Sequence, residues 1–198
     1  MNINTSGMSD EKKYLNFPVT MLRDLYMNGD SFFSDVFDVG IYLYSKTLSG
    51  GELARYKEAL SYLGITQVNP KKGIETAKNR LFENSKVPMT GIEKEMLFDY
   101  YKNHKEQNSL VCLGAFLGIK SIIGTKPYCK TNKQHIHARM FGYPSVSDMK
   151  FKLTPLEKKY QTRWHMDKVL LELQENWHLK CYSNHQRGMY ISFDLDLK

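Results

Sequence analysis

The sequence lacks any apolar run long enough to cross a lipid bilayer, which takes about 20 residues in a helix. The longest nearly apolar run covers residues 110–123, and Lys120 interrupts it. Residues 1–13 contain no apolar segment of the kind that forms the core of a signal peptide. We therefore expect a cytoplasmic protein without a membrane partner.

Cysteines are few as well. Cys112, Cys129 and Cys181 are widely spaced and odd in number, which fits reduced thiols better than a disulfide framework. The hydrophobic fraction, by contrast, is 41% of 198 residues. That fraction is enough to build a buried core without disulfides.

Signatures of catalysis are also missing. No G-x-x-x-x-G-K-[ST] run occurs, and no serine lies in a nucleophile-elbow pattern. We therefore predict that the protein is not an enzyme and needs no cofactor. The alternative is a nuclease in which Asp194 and Asp196, on one face of a strand, hold Mg²⁺ with a third carboxylate such as Glu172.

Zinc-ligand spacings such as C-x-x-C or H-x-x-x-H do not occur. His135 and His137 are close in sequence, but side chains at i and i+2 of a helix point about 200° apart. The two imidazoles therefore cannot share one ion on a regular helix. We predict no metal site.

Helix start signals, in contrast, are abundant. Capping boxes, in which a hydroxyl and a Glu or Gln three residues later bond the first turn, begin at Ser49, Thr90, Thr131 and Thr154. Asn69 followed by Pro70 is a fifth start. Predicted helices cover residues 51–63, 70–83, 91–103, 131–141 and 155–177, the last with a break near Gln161. Another helix is predicted from Asp30 to about Leu48. The chain is therefore predicted to be mainly α.

The C-terminal part has its own order of elements. The apolar run 110–123 and the helices 131–141 and 155–177 are followed by two strand-like runs, 179–182 and 189–194, with a turn that ends at Gly188. This order resembles the winged-helix form of the helix-turn-helix. The resemblance implies that the third helix enters the major groove of DNA and that the hairpin tip contacts phosphate or the minor groove.

Two features of this part qualify the expected packing. Residues 142–153 make a longer connection than the compact turn of the usual motif, which predicts either an added short helix from Ser145 or a different presentation of the third helix. Gly114 and Gly118 form a G-x-x-x-G. We predict that it allows close packing of a buried central helix, with homodimerisation as the alternative.

Charge separates the two halves of the chain. Residues 1–107 contain 14 basic and 14 acidic side chains, whereas residues 108–198 contain 14 and 7. The whole net charge of +7 therefore lies in the C-terminal half. Concentrated positive charge favours a polyanionic partner, because each neutralised phosphate releases counterions. The alternative is a basic face that is merely solvated.

The resemblance implies a set of DNA-contacting residues on the third helix, around the second helix and at the hairpin tip. They are Lys126, Lys130, Lys133, Arg139, Lys158, Lys159, Gln161, Thr162, Arg163, Lys168, His185 and Arg187. Their side chains are of the types that bond guanine, adenine or phosphate. The opposite face of the third helix is expected to pack on residues 110–123, and it consists of Met166, Val169, Leu170, Leu173 and Trp177.

The sequence thus predicts three parts: a disordered N-terminus at 1–13, a helical region at 14–104 and a winged-helix-like domain at 105–198. We expect the protein to bind double-stranded DNA, as a transcription regulator or as an accessory protein of replication or of a mobile element. A protein-interaction module whose basic face docks an acidic partner is the alternative.

Overall fold

A computed structural model describes residues 14–27, 34–66, 69–83, 86–104, 106–149, 153–184 and 188–194. The helices are α1 Asp24–Met27, α2 Ser34–Ser45, α3 Glu52–Tyr62, α4 Pro70–Glu83, α5 Lys94–Asn103, α6 Gln107–Ile123, α7 Lys133–Met140, α8 Pro155–Gln161 and α9 Arg163–Asn176. The strands are β1 Tyr14–Pro18, β2 Met89–Glu93, β3 Cys129–Thr131, β4 Lys180–Asn184 and β5 Gly188–Ser192, and 3-10 helices cover Val19–Arg23 and Val146–Met149. The predicted mainly α fold with a C-terminal β-hairpin is confirmed.

Helix α6 is apolar nearly all round and joins two hydrophobic clusters. Leu113 and Leu117 belong to the cluster built with the N-terminal elements. Val111 and Ala115 belong to the cluster built with α7, α9 and the C-terminal sheet. A helix with apolar residues on both sides can bury them only between two layers, and α6 is therefore the centre of the molecule.

Gly118 allows α7 to lie directly against α6. A Cβ atom at Gly118 would come within 2.7 Å of the backbone nitrogen of Met140 and within 2.9 Å of the carbonyl carbon of Arg139. The Tyr26 hydroxyl fills the space beside Gly114 and donates a hydrogen bond of 2.9 Å to the carbonyl oxygen of Met140. The predicted close packing at the G-x-x-x-G is confirmed.

The N-terminal region contains a two-stranded sheet that was not predicted. β1 pairs antiparallel with β2, and Leu15 lies opposite Ile92, both buried. The hydroxyl of Thr90 in β2 donates to the carbonyl oxygen of Leu117 at 2.7 Å, which ties the sheet to α6. The pairing joins residues as far apart as Tyr14 and Glu93, 79 positions along the chain, so no local pattern indicates it.

The C-terminal sheet has the antiparallel order β3-β5-β4. The hairpin of β4 and β5 was predicted, and Gly188 at its turn has φ of +84°, a conformation that favours glycine. β3 was not predicted; its Cys129 lies opposite Ile191 of β5. A third strand stabilises the hairpin, because an isolated two-stranded ribbon is marginal in water.

Two of the five predicted helix starts are confirmed. Thr154 Oγ1 accepts from the backbone N–H of Glu157 at 3.2 Å, and the Glu157 carboxylate accepts from the N–H of Thr154 at 2.5 Å. Asn69 Oδ1 accepts from the N–H of Lys71 at 3.1 Å, and α4 has the predicted bounds 70–83.

The other three predicted capping boxes are wrong. α3 follows Gly51 rather than Ser49, and α5 starts at Lys94, because Thr90 is part of β2. Thr131 belongs to β3, and the next residue, Asn132, caps α7 by accepting from the N–H of His135 at 2.8 Å. Strand pairing with distant residues overrides the local start signal at Thr90 and at Thr131.

Some predictions lie outside the described residues: the disordered segment 1–13, the cap at Asp30, and the hairpin-tip residues His185 and Arg187. The long connection does contain a short helix after Ser145, the 3-10 helix Val146–Met149. All three cysteines have free thiols, as expected. Within the described parts of the chain, every helix is too short or too polar to cross a membrane.

Candidate nucleic-acid interface

Helices α8 and α9 meet at Thr162, whose extended backbone (φ −70°, ψ 142°) ends one helix and precedes the other. The predicted break near Gln161 is confirmed. Thr162 Oγ1 donates to the carbonyl oxygen of Lys159 at 2.9 Å and lies 2.8 Å from Nδ1 of His165. The bend brings Lys159 of α8 to the same cleft as Lys168 of α9.

Helix α9 has one buried face and one exposed face. Its buried residues are Met166, Val169, Leu170 and Leu173, and they share a cluster with α6. Trp177, at the end of the helix, packs on Phe116 of α6 with ring centroids 5.0 Å apart. The predicted packing face is confirmed. Arg163 is left 89% exposed in its side chain, and Trp164 is 60% exposed.

Asp167 holds two predicted contact residues together. Its Oδ1 pairs with Nζ of Lys133 at the start of α7, and its Oδ2 lies 3.5 Å from Nε of Arg163, one helical turn away on α9. All three side chains are partly or largely exposed, so these ion pairs contribute little to stability. They do place two cations from different helices side by side.

Lys168 packs against Trp164, with its Nζ 3.8 Å from the centroid of the indole ring. The indole in turn meets His165 edge to face at 4.5 Å. Cation–π contacts of this kind orient a lysine without neutralising its charge. We use the name basic strip for Lys133, Lys159, Arg163 and Lys168 around the exposed Trp164.

Arg163 and Lys168 of the basic strip lie in the N-terminal half of α9, whereas Lys133 lies on α7 and Lys159 on α8. Asp167 lies within it, and the acidic residues Glu172 and Glu175 follow in the next turns. The positive end of the helix dipole lies at the same end as the lysines and Arg163. The four cations of the strip therefore gather around the first two turns of α9, with Asp167 among them.

The remaining predicted contacts do not all join the strip. Arg139 is half-buried between α6 and α7, where Nε donates to His135 at 3.3 Å, and burial lowers the pKa of its guanidinium. Lys130 lies on the sheet with Nζ 6.0 Å from the ring centroid of Tyr190. Lys126 is exposed in the turn after α6, and Lys158 and Gln161 are exposed on α8.

A buried polar network supports α8 from behind. The Glu157 carboxylate, 5% exposed, accepts from the hydroxyl of Tyr143 at 2.7 Å. Nε2 of the buried His137 donates to the carbonyl oxygen of Glu157 at 2.8 Å. Arg23 donates to the Tyr143 hydroxyl at 3.2 Å. Elements far apart in sequence thereby fix the position of α8.

The side chains of His135 and His137, two positions apart in the sequence, contact different partners. His135 lies 3.4 Å from Thr131 Oγ1, whereas His137 bonds the backbone of α8. Across the described residues, His, Cys, Asp and Glu side chains nowhere gather in threes that could hold a metal ion. Of the carboxylates considered for Mg²⁺, Asp194 acts electrostatically on Lys120, and Asp196 lies outside the described residues.

Sequence reasoning missed Trp164 and Asp167, the two residues that organise the strip. Helical spacing does indicate them, since Asp167 follows Arg163 at i+4 and Trp164 precedes Lys168 at i+4. The proximity of Lys133 to Asp167 could not be read in that way, because the two residues are 34 positions apart.

Comparisons with protein-family models, with curated proteins and with solved structures find no match to this chain.

Proposed function

We propose that the protein binds double-stranded DNA through its C-terminal part, arranged as a winged helix with α9 in the major groove. The observation that carries the proposal is the basic strip, whose four cations lie on and beside the exposed first two turns of α9. An α-helix with side chains is about 10–12 Å across, which matches a major groove of about 12 Å.

The order of elements supports the same proposal. α6, α7 and the α8–α9 pair are followed by the β4–β5 hairpin, as in the winged-helix resemblance. β3 adds a third strand beside β5. A third strand beside the hairpin supports the prediction that His185 and Arg187, which connect its two strands in the sequence, contact phosphate or the minor groove.

The exposed residues divide by the type of contact that they suit. Arg163 and Lys168, on the outer surface of α9, can bond guanine O6 and N7, and Gln161 can bond adenine. Phosphate contacts suit the lysines around the helix, namely Lys126, Lys130, Lys133, Lys158 and Lys159.

Regulation of transcription and support of replication or of a mobile element both fit such binding. A dimer would require half-sites about one helical turn apart.

The test is fluorescence anisotropy of a labelled random duplex at several salt concentrations. With the five phosphate contacts named above, affinity should fall about 500-fold between ~50 and ~200 mM salt. The variant Arg163→Glu/Lys168→Glu should bind about 100-fold more weakly at one salt concentration, since each contact contributes about 1–3 kcal/mol. Lys71→Glu/Lys72→Glu, the same charge change on exposed residues of α4, is the matched control. Absence of binding at low salt, or equal losses in both variants, would reject the proposal.

A protein-interaction module is the second candidate, and one observation favours it. Trp164 and Leu171, two turns apart on the outer face of α9, are 60% and 52% exposed. Exposed large apolar residues beside a charged rim are typical of protein contacts. This candidate gains if the Arg163→Glu/Lys168→Glu variant keeps its retention on DNA and heparin columns while size exclusion shows a stable complex with an acidic protein.

A further inference from the structure

A cleft of about 630 Å³ lies between the end of α5, the start of α6 and one side of the α8–α9 pair. Its size falls within the range of small-molecule sites, about 300–1,000 Å³. Lys159 and Lys168 of the basic strip stand at the cleft, together with Trp164. The cleft is thus a concave site next to the surface proposed for DNA, on a different side of α9 from Lys133 and Asp167.

Aromatic rings make up much of the lining. Tyr100 and Trp177 lie with ring centroids 5.6 Å apart, and Tyr160 meets His165 at the same centroid distance. Trp164 completes the second group through its contact with His165. Tyr100 and Tyr160 are nearly buried, with exposures of 9% and 4%, and support the wall of the cleft, whereas Trp164 is 60% exposed. A flat aromatic ligand can therefore stack on the exposed indole of Trp164.

Charged groups are placed at the cleft as well. Lys159 and Lys168 supply positive charge, and Glu172 supplies a carboxylate. One Glu172 oxygen accepts from Nδ2 of Asn176 at 2.8 Å, and the carboxylate keeps further acceptor sites. Burial together with the Glu172 charge raises the pKa of Cys112 to about 11, so that thiol is neutral and adds no charge. The cleft therefore combines two cations, one anion and several rings.

We propose that this cleft binds a purine nucleotide with an exocyclic amino group, its base on Trp164, its phosphate at Lys159 and Lys168, and its amino group donating to Glu172. The lining suits a ligand with three features: a flat aromatic ring, a negative charge and an N–H donor. An adenine or guanine nucleotide has all three. The source is either a free nucleotide or an unpaired nucleotide of a bound strand. The cleft can bind a nucleotide whether or not the protein binds duplex DNA.

The chain contains two tryptophans, and both line the cleft. Tryptophan fluorescence excited at the red edge of the absorption band therefore reports on the site directly. Adenosine 5′-monophosphate and guanosine 5′-monophosphate are the probes, and a saturable change with at least one of them is expected. Ribose 5-phosphate, which lacks the base, and purine riboside 5′-monophosphate, which lacks the amino group, should each bind about tenfold more weakly or worse.

Two variants test the assignment of residues. Glu172→Gln should weaken binding of the amino-bearing nucleotide about fivefold, since a charge-assisted hydrogen bond is roughly twice as strong as a neutral one. It should also reduce the preference over purine riboside 5′-monophosphate from about tenfold to about twofold, because the glutamine oxygen still accepts a neutral hydrogen bond. Ser109→Phe, in the first turn of α6, fills the cleft and should reduce nucleotide binding by at least about tenfold, as expected for loss of the stacked base. Gln107→Phe, exposed in the same turn but outside this cleft, is the matched control.

The outcomes separate this inference from the proposed function. Ser109→Phe lies off the basic strip, so it should leave duplex binding unchanged while nucleotide binding is lost; circular dichroism verifies its fold. If a short single strand binds more tightly than the mononucleotide and Ser109→Phe abolishes that binding, the ligand is a nucleotide of a bound strand. Equal or weaker binding of the strand indicates a free nucleotide. No saturable change with either monophosphate, equal binding of ribose 5-phosphate, or unchanged binding in a folded Ser109→Phe would overturn the proposal.

Discussion

The regions on either side of α6 have similar interiors and different surfaces. Both bury a cluster of aliphatic and aromatic side chains, and both draw those side chains partly from α6 itself. Yet the N-terminal half of the chain has balanced charge, whereas the C-terminal half carries the excess of +7. Packing therefore does not explain the charge, because a hydrophobic core is indifferent to the sign of the exposed side chains. The difference in charge therefore concerns the binding partner of the C-terminal surface and not the packing beneath it.

The largest expected effect concerns the shared helix. Gly118→Val should lower the free energy of unfolding by about 3 kcal/mol, because the new side chain meets the backbone of α7 and overpacking is costly. Urea denaturation followed by far-UV circular dichroism and by tryptophan fluorescence measures it. Coincident transitions are expected for both probes, since α6 serves both clusters.

Gly51→Ala is the control for that experiment. Gly51 has φ of −71° and open space around its Cβ position, so its free energy of unfolding should hardly change. Separate transitions for the two probes would instead indicate that the regions 14–104 and 105–198 unfold as independent domains. The two regions would then behave as two proteins joined by a linker.

The second effect is a dependence of stability on pH that arises in the basic region. Burial lowers the pKa of His137 below its usual 6.5, and burial and Arg139 lower that of His135. Below pH ~6.5 the unfolded chain binds more protons than the folded one, so stability falls as the pH falls, by at most about 1.4 kcal/mol per pH unit for each proton. Urea midpoints between pH ~7 and ~5 measure the effect.

His137→Gln should flatten this pH dependence, because glutamine can still donate to the Glu157 carbonyl oxygen but does not titrate. His104→Gln, at the end of α5 in the N-terminal region, is the control and should keep the wild-type slope. If the two variants give the same slope, the buried histidine is not the source of the acid sensitivity.

The smallest effect on stability is expected at Asp167. Asp167→Asn should change the free energy of unfolding by only about 0.5 kcal/mol, because its ion pairs are exposed. Release of Lys133 and Arg163 should nevertheless raise duplex affinity about threefold at low salt, a part of the gain expected from one added positive charge. Asp99→Asn removes a charge of similar exposure in the N-terminal region, and it should leave duplex affinity unchanged. A gain of the same size in Asp99→Asn would mean that only the total charge matters.

Local signals predicted the elements whose bonds are local. The bounds of α4 and the capping box at Thr154 followed from residues within one helical turn, and so did the break near Gln161. The starts proposed at Thr90 and Thr131 failed for a common reason. Both residues are claimed by strands whose partners lie far along the chain, and a ladder of backbone hydrogen bonds outweighs one side-chain cap.

The candidate site divides in the same way. The basic residues of α8 and α9 were expected to contact DNA because of the resemblance to a winged helix, and the buried face of α9 was predicted as the opposite face of the same helix. The pairing of Lys133 with Asp167 was not, nor was the half-buried position of Arg139. The aromatic cleft was not recognised either, because its rings come from α5, α8 and α9, and α5 is far from the other two helices in sequence.

Composition and local pattern are enough to establish that this protein is mainly helical, that its central helix is buried, and that its positive charge belongs to its C-terminal half. Each of these properties depends on composition or on contacts between near neighbours. Which cations lie together, which aromatic rings share a cleft and which residues form strands became clear from the folded chain. Those arrangements depend on packing between residues many positions apart, where the free energy gained by burial and strand pairing exceeds what any local preference can supply.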